Sequence, residues 1–214
     1  MKVLILGGFL GSGKTSLLLQ LAYYMTGHLS GDKKYQVVIL ENEVGEEGID
    51  DKLLRGNGYQ VENLFSGCAC CTLSGELLSS VSNIEKQLQP QWLILETTGL
   101  AYPHLIQKNL ADSMNLSSRI CIVADASRWE RLFTPLHELI TGQLTNADTV
   151  LINKMDLVSP DTLKKIELQI KAINKTPKNF SDICKSARIP LYLDSILEGD
   201  PLMNEIFPRR HTRT

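Results

Sequence analysis

A doubly wound α/β fold with a mostly parallel sheet is predicted by three features of the chain. Short apolar runs rich in β-branched residues alternate with longer stretches of helical periodicity. Two of those runs, Val37-Val38-Ile39-Leu40 and Trp92-Leu93-Ile94-Leu95, are apolar throughout rather than alternating, as strands buried on both faces must be. The first run ends in a glycine-rich turn, Gly7-Gly8-Phe9-Leu10-Gly11-Ser12-Gly13, that leads into a helical pattern. A chain of 214 residues, 43% hydrophobic, suits one α/β domain spanning 1–214 with a proper core, of which 175–214 carries the least pattern.

Taken in order, the chain opens on a strand at 2–6 and, after the glycine turn, a helix at 14–24. A strand at 36–40 follows, then a sparser one at 61–64 and a helix at 73–88. The strand at 92–95 leads to a helix at 103–114, and the strand at 119–124 to a helix at 128–141. A strand at 149–152 precedes the last helix, at 160–174, and 191–193 is a further sparse strand. In the last helix Leu163, Ile166, Ile170 and Ile173 recur at helical spacing, and Ser159-Pro160 supplies an N-cap followed by a first-turn proline.

The balance of 22 basic and 24 acidic residues, a formal charge of −2, argues against nucleic acid as a partner. The one basic cluster, Arg209-Arg210-His211-Thr212-Arg213, reads as a frayed terminus. The opening Met1-Lys2-Val3-Leu4-Ile5-Leu6 breaks too early into glycines to be a secretory leader, and no apolar stretch approaches the roughly 20 residues that span a bilayer. The expected location is therefore cytoplasmic, without a membrane partner. Five cysteines kept reduced there point to metal or redox chemistry before disulfides.

Gly8-Phe9-Leu10-Gly11-Ser12-Gly13-Lys14-Thr15 matches the phosphate-binding pattern G-x-x-x-x-G-K-[ST] between a strand and a helix, which makes the fold one of the P-loop NTPase type. Gly8, Gly11 and Gly13 let the backbone wrap a polyphosphate, with the N–H groups of Ser12 to Ser16 aimed inward at a helix N-terminus. Lys14 would neutralise β- and γ-phosphate oxygens, and the Thr15 hydroxyl would ligate Mg²⁺. Asn153-Lys154-Met155-Asp156 follows a strand, where open α/β sheets bind ligands. The Asp156 carboxylate can accept both guanine donors, N1–H and the amine, whereas adenine would leave it unpaired. Asn153 would fix the loop and the Lys154 stem would cover the base. Glu96-Thr97-Thr98-Gly99 ends another strand, where a carboxylate can hold the Mg²⁺ shell or orient a water and Gly99 can move with the γ-phosphate.

Gly67-Cys68-Ala69-Cys70-Cys71-Thr72 places three thiols within four residues. Thiolates favour Zn²⁺, Cu⁺, Co²⁺ or Fe²⁺ over Mg²⁺. So tight a spacing cannot complete a four-ligand zinc site, so distant groups or a second chain must contribute; a homodimer is one arrangement that would supply them. Carboxylates stand just past a strand end in Glu41-Asn42-Glu43-Val44-Gly45-Glu46. Cys121, inside a strand, and Cys184 read as bystanders.

Together these motifs resemble the CobW-like metallochaperone GTPases, relatives of the UreG and HypB proteins. The resemblance runs over about residues 1–175 through Gly7–Thr15, Glu41-Asn42-Glu43 with Gly45-Glu46, Gly48-Ile49-Asp50, the cysteine motif, Glu96-Thr97-Thr98-Gly99-Leu100-Ala101 with Pro103, and Asn153-Lys154-Met155-Asp156-Leu157. It implies a GTPase domain in which Thr15, Glu43 and Glu96 serve Mg²⁺ while Lys14 and Glu96 assist hydrolysis. It also implies Zn²⁺ or Co²⁺ on Cys70, Glu41 and Glu46, with Cys68 and Cys71 as further ligands. GTP and GDP are then the nucleotide partners, and the client is a metalloprotein or corrinoid protein. Against longer members the expectation is a short form without their separate C-terminal domain, and residues 1–214 hold no histidine-rich stretch; His28, His104, His137 and His211 are scattered. The closing base-contacting loop of ordinary GTPases has only a loose counterpart in Cys184-Lys185-Ser186-Ala187.

The expectation is a GTPase whose loops near 41–50 and 96–99 change shape with nucleotide and alter the geometry around Cys70. Slow turnover is expected, since no arginine stands in a recognisable finger position and such a group contributes about 10³–10⁵ in rate. Two rivals remain at this stage. One is an ATP-dependent small-molecule kinase, and the other is a nucleotide-gated scaffold that binds a metal- or cobalamin-dependent partner without carrying metal.

Overall fold

The computed structural model describes residues 1–28, 36–41, 59–63 and 73–174. Its strands are β1 (Lys2–Gly7), β2 (Val37–Glu41), β3 (Tyr59–Asn63), β4 (Trp92–Glu96), β5 (Ser118–Asp125) and β6 (Thr149–Asn153). The helices are α1 (Lys14–His28), α2 (Leu73–Asn83), α3 (Pro103–Met114), α4 (Ala126–Phe133), α5 (His137–Leu144) and α6 (Pro160–Ile173). Among the described residues the strands form one sheet in the order β3-β2-β4-β1-β5-β6, and every neighbouring pair is parallel.

The winding follows from this order. From β1 the chain passes through α1 to reach β2 on one side, and from β4 it passes through α3 across β1 to reach β5 on the other. Parallel crossovers are right-handed, so opposite directions of travel put α1 and α3 on opposite faces. Accordingly α1 packs on β1, β2 and β4, whereas α3 packs on β1 and β5. The phosphate loop therefore leaves a central strand whose neighbours, β4 and β5, end beside it.

Both faces of the central strands are dry. Val37 to Ile39 and Leu93 to Leu95 have no accessible surface, which is why neither run alternates. On one face Val3, Ile5, Val38, Leu40, Leu93 and Leu95 join Ile120, Ile122 and Leu110 in a continuous core. By the two-residue period of a strand, Glu41 shares the opposite face with Ile39, and Glu96 shares it with Ile94.

The helix read at 128–141 is two helices instead. Pro135 has no N–H to donate and its ring clashes with the preceding turn, so the chain breaks at 134–136 between α4 and α5. The start also lies earlier than read, at Ala126, because the Asp125 carboxylate accepts the Ser127 N–H and caps the helix. The helix read at 73–88 ends its α-helical part at Asn83 and continues as a π-helical turn, Ile84–Leu88, closed by Gln89 at φ +47°. The helix read at 14–24 runs on to His28. The last helix begins as read, with Ser159 Oγ accepting the Thr162 N–H and Pro160 in the first turn. The strand expected at 191–193 lies outside the described residues.

α6 is held by its apolar stripe, with Ile166 and Ile170 fully buried against the core and Leu168 61% exposed on the far side. Ile166→Ala should cost about 2–5 kcal/mol of unfolding free energy in urea, the range for truncating a buried branched side chain. Leu168→Ala should stay within about 0.5 kcal/mol. Equal costs at the two positions would show that α6 does not pack as described.

Candidate functional site

The glycine-rich turn and α1 bring Gly8, Gly11, Ser12, Gly13, Lys14, Thr15 and Ser16 to the carboxyl end of β1. Gly13 has φ +101°, a conformation other residues rarely adopt, and a Cβ there would lie 2.4 Å from Asn153 Nδ2. Lys14 is 3% exposed, packed among the strand ends, while Ser16 faces solvent in the first turn of α1. Ser12 Oγ, at the loop's centre, is buried without a hydrogen-bond partner among the described residues, and so is Thr98 Oγ1. A bound polyphosphate with its hydrated cation would supply the partners that two buried hydroxyls otherwise lack.

Thr15 and Glu96, both read as Mg²⁺ ligands, are in direct contact. The Thr15 hydroxyl donates to Glu96 Oε1 at 2.9 Å, from the first turn of α1 to the end of β4. Glu96 is 1% exposed. Both are hard oxygen groups beside the phosphate loop, a chemistry that suits Mg²⁺. The segment after Glu96 is tied down at both ends. The Thr97 N–H and hydroxyl donate to the Leu6 carbonyl, and Gln143 Nε2 of α5 donates to the Gly99 carbonyl at 2.9 Å. Gly99 lies so close to the phosphate loop that a Cβ there would be 2.6 Å from Leu10 N. Any larger residue would push the two loops apart.

The other end of the site comes from β6. Asn153 Nδ2 donates to the Ser12 carbonyl at 2.9 Å and its own Oδ1 accepts the Lys154 N–H at 2.8 Å. Lys154, at φ +59°, turns the chain at once and sends Nζ to the Gly11 carbonyl at 2.8 Å. Asp156, read as the base-contacting residue, then stands exposed in the 3-10 turn Met155–Leu157.

Two residues missed in the sequence complete this end. Asp125, 5% exposed at the end of β5, accepts Lys154 Nζ at 2.8 Å and Arg128 Nε at 2.7 Å on one oxygen. Its other oxygen accepts the Ser127 N–H and hydroxyl. Arg128 in turn donates to the Leu10 carbonyl and lies over the Phe9 ring, 5.8 Å from its centroid. The available signal was Asp125-Ala126-Ser127, an N-cap pattern straight after a strand. Burial works to raise the Asp125 carboxyl's pKa, but the hydrogen bonds from Lys154, Ser127 and Arg128, with the charge of Lys154, outweigh it and hold the group below its usual range.

Of the candidate transition-metal ligands, Glu41 is described. It ends β2, is 8% exposed, and its Cα is the register partner of Glu96. Glu43, Glu46, Cys68, Cys70 and Cys71 lie outside the described residues, as do Cys184-Lys185-Ser186-Ala187. Cys121 is buried in β5, and burial first, then the nearby Asp148 charge, push its thiol up to about 12. It stays protonated at neutral pH and so is a bystander, as read.

A family model described as CobW/HypB/UreG, nucleotide-binding domain, matches residues 2–181. The chain belongs to this family. Among curated relatives, the zinc chaperone YjiA of Escherichia coli is 29% identical over 208 residues, covering 92% of this chain and 58% of the relative. A zinc-regulated GTPase metalloprotein activator 1 of Dictyostelium discoideum is 28% identical, covering 80% of this chain and 43% of the relative. The chain thus spans about half the length of the curated relatives it matches. The same fold occurs in the crystal structure of Zn(II)-bound YjiA GTPase from E. coli, at TM-score 0.60 and 23% identity over 87% of this chain and 57% of that one. It occurs also in HypB from Helicobacter pylori in complex with nickel, at TM-score 0.58 and 18% identity over 99% of this chain and 90% of that one. Among the described residues no helix is long and apolar enough to cross a membrane.

The lowered Asp125 carboxyl sets a pH dependence. Its contribution is complete above the unfolded value of about 4 and is lost as pH falls through the lower folded value. The stability gap between the parent and Asp125→Asn, from urea unfolding, should therefore be largest near neutral pH. It should shrink as the medium is made more acidic than about pH 4. A gap constant from neutral to strongly acidic pH would mean that the carboxylate charge does not hold this junction.

Proposed function

We propose that this chain is a GTP-binding and slowly hydrolysing metallochaperone, which couples nucleotide state to a transition-metal site and hands its metal to a client metalloprotein in the cytosol. The reading takes residues 1–214 as one nucleotide-binding domain. Zinc is the favoured cargo, since the curated relatives are named zinc chaperones, with cobalt the next choice. A corrinoid protein is the second kind of client the reading allows.

The observation that carries the reading is the pairing of Glu41 with Glu96 across β2 and β4. Residues in register on adjacent parallel strands share a face and stand about 5 Å apart. One of this pair touches Thr15 at the Mg²⁺ position and the other opens the segment that holds the candidate metal ligands. A rearrangement at Glu96 when γ-phosphate and Mg²⁺ bind would be felt at the neighbouring strand end. Glu41, Glu46 and the thiols of Cys70, Cys68 and Cys71 make a mixed carboxylate–thiolate set, suited to a borderline ion such as Zn²⁺. In the chemistry of hydrolysis, Lys14 would stabilise charge on the phosphates. Mg²⁺ held by Thr15, Glu96 and Glu43 would supply electrostatic stabilisation, and Glu96 would orient the attacking water.

The guanine preference rests on Asp156. GTP and GDP should bind at least about tenfold more tightly than ATP and ADP, because adenine would leave a carboxylate with one or two lost hydrogen bonds worth about 1–3 kcal/mol. Competition between labelled and unlabelled nucleotides on the full chain measures this ratio. Equal affinities would overturn the GTPase reading and favour the small-molecule kinase.

A further inference from the structure

The phosphate loop can be accounted for carbonyl by carbonyl. The Phe9 carbonyl accepts the Ser12 N–H at 3.1 Å and that of Gly13 accepts the Leu17 N–H at 3.0 Å, both within the loop and its helix. The three between them are held from outside: Leu10 by Arg128, Gly11 by Lys154 and Ser12 by Asn153. A trans peptide is planar, with the C=O of one residue opposed to the N–H of the next. Whatever holds the Leu10 carbonyl therefore aims the Gly11 N–H, and whatever holds the Ser12 carbonyl aims the Gly13 N–H. The Ser12 N–H is already spent on Phe9.

Leu10 is also the point where the loop meets the nucleotide-sensing segment. Its backbone nitrogen and Cα are the first atoms that a Cβ at Gly99 would meet, at 2.6 and 3.0 Å. The peptide that Arg128 holds is thus at the end of the loop where Gly99 would meet a third phosphate. Arg128 suits the task because its guanidinium is a rigid fork. Nε is fixed on Asp125, which leaves Nη2 on the Leu10 carbonyl while the plane of the group rests over Phe9. A lysine could make one of these contacts at a time.

We propose that Arg128 is a positioning residue which, anchored by Asp125, holds the Leu10 carbonyl so that the Gly11 N–H meets the terminal end of a bound triphosphate and raises selectivity for GTP over GDP. The proposal deepens the GTP-binding reading and rests on it. Arg128 touches no phosphate in this scheme. It acts through one peptide plane, and the diphosphate retains the Gly13 N–H, Lys14 and the helix N-terminus without it.

The test titrates the full chain with fluorescent GDP and a fluorescent non-hydrolysable GTP analogue, at saturating Mg²⁺, for the parent, Arg128→Ala, Arg128→Lys and Arg131→Ala. Arg131 lies on the same helix and is exposed, so its variant controls for loss of positive charge. Arg128→Ala should lose about tenfold in affinity for the triphosphate, as expected for one charged hydrogen bond, and less than about threefold for GDP. Arg128→Lys should fall between, and Arg131→Ala should match the parent. Should Arg128→Ala fail to fold, Arg128→Gln carries the same comparison. Equal losses for GDP and the triphosphate would make Arg128 a mere support of the loop and overturn the proposal, as would no loss at all. A parent that binds neither nucleotide would overturn the GTP-binding reading itself, and this proposal with it.

Discussion

A loop that is to surround a polyphosphate must turn its carbonyls away, because an inward C=O would repel the anion and leave its own lone pairs unpaired. Five successive carbonyls, Phe9 to Gly13, each accept a hydrogen bond that keeps them turned. Two donors are local, but Arg128 comes from the first turn of α4, and Lys154 and Asn153 from the end of β6. The buried Asp125 carboxylate fixes two of these three donors at once. The phosphate loop, the Asn153–Lys154 turn and the start of α4 are therefore one hydrogen-bonded unit. Its geometry depends on β1, β5 and β6 lying side by side, so the sheet order is a requirement of the site.

On the other flank the same loop meets the end of β4. Thr15 donates to Glu96, a Cβ at Gly99 would strike Leu10, and Gln143 of α5 holds the Gly99 carbonyl. Glu41 stands in register with Glu96, one strand further out. A bound polyphosphate and its Mg²⁺ would sit between the Asn153–Lys154 side of the loop and the ends of β4 and β2. Glu41 in turn opens the segment that bears the other candidate metal ligands. Allosteric coupling between two ligands needs two states that each ligand favours differently. The strand ends at Glu41 and Glu96 offer one element that both could bias.

Much of this was legible in the sequence, and what was not has a physical reason. The parallel sheet showed itself because strands buried on both faces are apolar without alternation, as at 37–40 and 92–95. The phosphate loop, Thr15, Glu96 and Asn153 showed themselves because each depends on a local motif at a strand end. Pro135 carries the signal for the break between α4 and α5, but it sits within helical periodicity on both sides that reads as one helix. Arg128 and Leu10 are 118 residues apart, and their contact exists because β1 and β5 pair, a fact that no local spacing carries. The pairing of Glu41 with Glu96 likewise depends on strand order.

In the proposed function, nucleotide and transition metal sense one another through these strand ends. By linkage, if a GTP analogue changes metal affinity by some factor, metal must change the affinity for the analogue by the same factor. The decisive measurement is the affinity for a non-hydrolysable GTP analogue at zero and at saturating Zn²⁺, in the parent and in Cys70→Ser. The account predicts a change of roughly 5–150-fold in the parent, the usual span of such couplings, and its loss in the variant. An affinity indifferent to Zn²⁺ in the parent, or a dependence that persists unchanged in Cys70→Ser, would contradict it.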